Sequence, residues 1–99
     1  MSEDPVVALV LVRPGEAEVV ARALRAQGFQ VGPHLGIAMA VTAPRRMFER
    51  FFGIEVEDAP DGGWVIEGGR RELPLGALPP ELAARIQAVT FEEPAEPVA

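Results

Sequence analysis

The sequence predicts a small two-layer α+β domain. Three observations carry this reading: an unbroken apolar run at Val6–Val12, two stretches of helical apolar spacing that each end on a glycine, and short extended apolar segments between and after them. In chain order they give strand, helix, strand, strand, helix, strand, then a hairpin arm and a short helix. That is the β-α-β-β-α-β order of a ferredoxin-like sandwich. Right-handed crossovers place both helices on one face of an antiparallel sheet and leave the other face to be covered by the C-terminal segment or offered to a partner. A bare apolar face of several hundred Å² is unusual on a soluble monomer, so association through it is expected.

Each element has its own reason. Val6–Val12 does not alternate, so both of its faces are expected to be buried, the second by this chain or by a partner. Pro14-Gly15 stops it. Glu16–Gln27 reads as a helix with Ala17, Val20, Ala21 and Leu24 on one stripe and Glu18 four residues before Arg22 on another. Gly28 suits the position after its end. Phe29–Leu35 is extended, but Gly32 and Pro33 make it an edge strand or a bulged one. Ile37–Val41 follows after the Gly36 turn, with Ile37, Met39 and Val41 facing one way. Thr42 is placed as the N-cap of a helix over Pro44–Phe52, whose apolar face is Met47, Phe48, Phe51 and Phe52 and which Gly53 closes.

Ile54–Glu57 alternates with period two and is taken as the fourth strand. Asp58–Gly63 is turn chemistry, and Trp64–Ile66 is expected to pair back as a hairpin. Pro79-Pro80 opens a third helix with Leu82, Ile86 and Val89 as its buried stripe and Phe91 docking after it. Residues 1–93 are read as one domain and 94–99 as an acidic, proline-containing tail.

Composition limits function. The chain has 99 residues, net charge −6, 48% hydrophobic residues and no cysteine. A disulfide scaffold and a thiolate metal site are excluded. All basic residues are arginine, and Lys, Asn and Tyr are absent, a usage that suits a hot, high-GC source. The acidic balance argues against a nucleic-acid partner, because neutralising phosphates needs a basic face. No apolar run is long enough for a membrane helix. The Met-Ser-Glu-Asp-Pro start lacks the basic region of a secretory signal, so a cytoplasmic location is expected.

Catalytic chemistry is hard to assemble from these residues. His34 is the single histidine, and the hydroxyls are Ser2, Thr42 and Thr90, which offer no credible nucleophile–base–orienter set. His34 is read as a surface turn residue. Asp58 and Asp61 flank Pro60 as turn formers, well short of the ligand set a calcium loop needs. Gly62-Gly63 and Gly68-Gly69 lack every companion of a phosphate-binding loop. Phe48, Phe51 and Phe52 are expected in the core, while Trp64, on an edge hairpin, is a candidate interface anchor. No catalytic residue, metal or cofactor is expected, and the chain is not read as an enzyme.

The stretch "MFERFFGIEVE", the "GGW" turn and "LPLGALPPELAARIQAVTF" together resemble the activation prodomain of the sedolisin (kumamolisin-like) serine peptidases. Phe52-Gly53 matches the Phe-Gly pair that ends a helix in that family. Leu73-Pro74 or Leu78-Pro79 matches its Leu-Pro segment, and Leu82, Ile86 and Val89 match its terminal helix. "ALRAQGFQV" resembles the family's first helix end, so the likeness covers most of residues 17–91.

The resemblance implies a ferredoxin-like module that assists folding of a peptidase and blocks its active site. It implies an open sheet face laid on peptidase helices, with Glu55, Glu57 and Glu67 at helix N-termini and the C-terminal strand running toward the substrate cleft. No catalytic domain follows within these residues, so inhibition is expected to act in trans. The segment between the first strand and first helix is shorter than the family usually has, and no export signal precedes it. The expected contact residues are Trp64, Ile66, Glu55, Glu57 and Glu67. The alternative is a small homo-oligomeric regulatory or assembly domain of the same fold, dimeric through its sheet and without a peptidase partner.

Overall fold

A computed structural model of the chain describes residues 5–60 and 62–92, without the side chains of residues 33–35. The strands are β1 (Pro5–Val12), β2 (Gln30–Leu35), β3 (Ala38–Pro44), β4 (Glu57–Asp58), β5 (Trp64–Val65) and β6 (Ile86–Phe91). The helices are α1 (Ala17–Ala26), α2 (Arg45–Phe52) and α3 (Pro80–Ala83), and a 3-10 turn spans Glu67–Gly69. Four strands form an antiparallel sheet in the order β2-β3-β1-β6, and β4 and β5 form a separate two-stranded arm.

β1 is central because it has partners on both sides. It runs against β3 from Pro5↔Pro44 to Leu11↔Ala38, and against β6 from Ala8↔Phe91 to Val12↔Ile86. The edge strand β2 pairs with β3 through a register shift between Val31 and His34, where Gly32 and Pro33 sit. Edge placement and irregularity thus occur together at the proline that cannot donate to a ladder. His34 lies inside this strand, opposite Met39, not in a turn.

One face of the sheet holds the core. Val6, Ala8, Val10 and Val12 are all at most 1% exposed, and Met39, Val41, Val89 and Phe91 join them. α1 lays Val20, Ala21 and Leu24 on this layer, and α2 adds Phe48 and Phe52. Phe48 is the aromatic hub: its ring centroid lies 5.2 Å from Phe29, 6.0 Å from Phe52 and 5.8 Å from Phe91. These contacts clamp the start of β2 and the end of β6 to one helix. β1 is therefore buried on one face only, although its sequence is apolar on both.

Two glycines end the long helices for a conformational reason. Gly28 has φ 102°, and a Cβ there would meet Met47 Cε at 3.1 Å. Gly53 has φ 68° and donates its N–H to the Glu49 carbonyl at 2.9 Å, closing α2 with a left-handed residue. At the other pole, Arg13 and Arg85 brace two corners. Arg13 Nε donates to the Ala84 carbonyl at 2.9 Å, and Arg85 Nη1 pairs with the Glu16 carboxylate.

Three expectations need correction. Thr42 is not an N-cap: it lies in β3 opposite Val7, and the strand continues to Pro44, whose ψ of 151° is still extended. Ile54–Glu57 does not supply the fourth strand of the sheet. Ile54 and Val56 turn inward, and Glu57 and Asp58 alone pair, with Val65 and Trp64. The fourth strand is Ile86–Phe91, although the helical spacing places Ile86 and Val89 on the third helix, and α3 stops at Ala83. The tail 94–99 lies outside the described residues.

The cause of that misassignment is visible in the register. Between Leu11 and Val12 the β1–β6 pairing shifts, and β6 gains an extra residue, so Ile86 and Val89 both face the core although they are three apart. A bulged strand thus mimics the i, i+3 spacing of a helix.

Truncating the hub tests this packing. Phe48→Ala is expected to cost about 3–5 kcal/mol, a large share of the stability of a domain this size. Thermal or urea unfolding followed by circular dichroism reads the loss, and an unchanged midpoint contradicts the placement of Phe48.

Candidate functional site

The strands β1, β3 and β6 contain no charged residue at all. Alternation sends half of their side chains to the core and the other half to the opposite face. The register assembles that second face from Val7, Leu9 and Leu11 on β1, Ala38, Ala40 and Thr42 on β3, and Ala88 and Thr90 on β6. Leu9 is 36% exposed, the others are half-buried, and none belongs to the core cluster. The helices α1, α2 and α3 all send their buried side chains to the other side of the sheet. The result is a flat, neutral surface of small and aliphatic groups with a low ridge along β1.

The sheet does not end cleanly at β6. Leu73 N–H donates to the Val89 carbonyl at 2.8 Å, and Phe91 N–H donates to the Arg71 carbonyl at 2.9 Å, so residues 71–73 add a short fifth rung. Glu72 sits opposite Thr90 there. Through the Ile66↔Arg70 bridge this rung connects to the β4–β5 arm.

The five contact residues expected from the sequence lie on and around that arm, not on the strands of the open face. Glu55, Glu57 and Glu67 are exposed. Trp64 is half-buried against the core, and the Arg45 guanidinium lies over its ring at 4.8 Å from the centroid. Arg45 Nη2 also donates to Asp58 Oδ1 at 3.1 Å, and Arg71 Nη1 donates to the Trp64 carbonyl at 3.2 Å. Glu49 Oε2 accepts the Val56 N–H at 2.9 Å. The arm is therefore fastened to α2 at two points, and Trp64 takes part in the fastening. Ile66 is 4% exposed and belongs to the core, which corrects its assignment as a contact residue.

Asp58 is held by Arg45, and Asp61 lies outside the described residues. Among the described residues no group of three His, Cys, Asp or Glu side chains could hold a metal ion. No described helix is long and apolar enough to cross a membrane. The residues that the sequence reading did not name are Leu9 and its companions on the open face. Their signal was present: every second member of an apolar run that never alternates.

The clasp on Trp64 gives a spectroscopic test. Trp64 is the single tryptophan. Arg45→Ala is expected to shift its emission and to lower stability by only about 0.5–1 kcal/mol, the range of an exposed cation–π contact. An emission spectrum identical to the parent's contradicts the contact.

Compared with models of known families, with curated proteins and with solved structures, the chain matches none.

Proposed function

We propose that the chain is a non-catalytic protein-binding module of ferredoxin-like topology that docks through its open sheet face, as a folding assistant or inhibitor of a sedolisin-type peptidase acting in trans. The observation that carries this reading is the charge-free face of β1, β3 and β6. The β-α-β-β-α-β order with β1 and β3 central supports the topology, the arm being an insertion between α2 and the last strand. An insertion at that point is consistent with the resemblance of Met47–Phe91 to the prodomain.

Area separates this reading from the self-associating alternative. Three strands about 4.8 Å apart and seven residues long at about 3.3 Å each present roughly 330 Å². Two such faces together bury roughly 670 Å², below the roughly 1,200–2,000 Å² of a stable interface. A larger partner gains the difference by also engaging the rung at 71–73 and the acidic arm with Glu55, Glu57 and Glu67. The rim carboxylates then steer and orient docking, and the apolar face supplies the affinity.

The purified domain is expected to slow a sedolisin-type peptidase at micromolar concentration. The double variant Leu9→Arg/Ala40→Arg is expected to abolish the effect while keeping the parent's melting temperature, because both positions lie on the open side. Peptidase activity unchanged by the parent domain across a panel of such enzymes refutes the peptidase reading. A dimer in sedimentation velocity that the double variant dissolves favours the homo-oligomer instead.

A further inference from the structure

Between the arm and the rung beside β6 the chain makes a stretch that sends nothing into the core. Its two anchors are buried: Ile66 is 4% exposed and Leu73 is 2% exposed. Of the residues between them, Glu67, Gly68, Gly69, Arg70 and Glu72 are exposed and Arg71 is half-buried. A Cβ added at Gly68 or Gly69 would meet nothing within 4 Å, so open space surrounds the turn. Two backbone bonds shape it up to Arg70. Ile66 N–H donates to the Arg70 carbonyl at 2.8 Å, and Gly69 N–H donates to the Ile66 carbonyl at 2.9 Å. A segment with so little burial lifts from the surface without opening the core.

This turn presents an arginine in a setting that no other arginine shares. The chain has nine basic residues, all arginine, and all are among the described residues. Five of them lie within α1 and α2, where the backbone is not free to be laid out as a strand in a peptidase cleft. Arg13 donates to the Ala84 carbonyl and precedes Pro14, and Arg85 is paired with Glu16. Arg71 reaches back to the Trp64 carbonyl at 3.2 Å. Arg70 is exposed and already extended, with φ −83° and ψ 149°. Its guanidinium has no hydrogen bond or ion pair among the described residues.

We propose that the Arg70–Arg71 bond is where a peptidase with an arginine-selecting pocket cuts the folded domain. The free guanidinium is the group such a pocket pairs with its own carboxylate. Water adds across the bond: Arg70 gains a terminal carboxylate, and the Arg71 nitrogen leaves as a new terminal ammonium. The cut puts β1, β2, β3, α1 and α2 on residues 1–70, and α3 and β6 on residues 71–99. The β1–β6 ladder and the Phe48–Phe91 contact then hold two chains together. The domain becomes a complex whose stability depends on its concentration. The site is a property of the free chain and is independent of docking through the sheet face.

The test is brief digestion of the intact domain with trypsin under native conditions, with the fragments weighed by mass spectrometry. The first products are expected to be residues 1–70 and 71–99, which co-elute in size-exclusion chromatography and separate in urea. Arg70→Gln is expected to slow the first cut about tenfold or more, and Arg70→Lys, which keeps the charge, to restore it. Arg22→Gln/Arg25→Gln leaves the rate unchanged. A first cut within α1 or α2, simultaneous cutting at many arginines, or an Arg70→Gln domain cut at the parent's rate overturns the proposal.

Discussion

The fold depends on the position of Phe48, which is fully buried at the junction of α2, the start of β2 and the end of β6. Three segments distant in sequence meet there through ring contacts. A helix that places its aromatic side on one face of the sheet leaves the other face with no helix to cover it among the described residues. The open face is thus a consequence of the core: the helices α1, α2 and α3 are all spent on the same side. Its apolarity is not forced by the fold, since alternation would allow charged residues at Leu9, Leu11, Ala40 and Ala88 without disturbing the core. Their absence from three adjacent strands is the feature on which the proposed docking rests.

Two surfaces with different physics result. The sheet side is neutral and less than half the size of a standard interface on one partner. The helical side has a groove along α2, lined by Phe29, Met47 and Phe51. Between them the arm holds the exposed carboxylates Glu55, Glu57 and Glu67, anchored by Glu49 and Arg45 of α2. Arg45 and its neighbour Arg46 illustrate the division, one residue clasping the arm and the next facing the groove.

Much of the fold was legible in the residues, and the failures have physical causes. α1 was marked by the stripe Val20, Ala21 and Leu24 and the positive φ required at Gly28. The edge character of β2 followed from Pro33. The last strand was misread because a bulge puts Ile86 and Val89 on the same face at helical spacing, and a local pattern cannot report the partner strand that causes the bulge. Thr42 was misplaced for a related reason: its β-branched side chain serves a strand as well as a cap, and pairing with Val7 decides between them. Of the expected contact residues, Glu55, Glu57 and Glu67 are exposed as their charge implies, whereas Ile66 is buried, because its place depends on how the arm folds back on the core.

The proposed docking requires an apolar face that is open in the free chain and closed in a complex. The most direct measurement is paramagnetic broadening of methyl NMR signals by a soluble nitroxide, with and without a saturating sedolisin-type peptidase. The free domain is expected to show strong broadening at the methyls of Val7, Leu9, Leu11, Ala40 and Ala88 and little at Val6, Val10 and Val12, with the first set protected on adding the peptidase. Protection of Leu9 and its companions in the free monomer, or their equal broadening in the saturated complex, would contradict it.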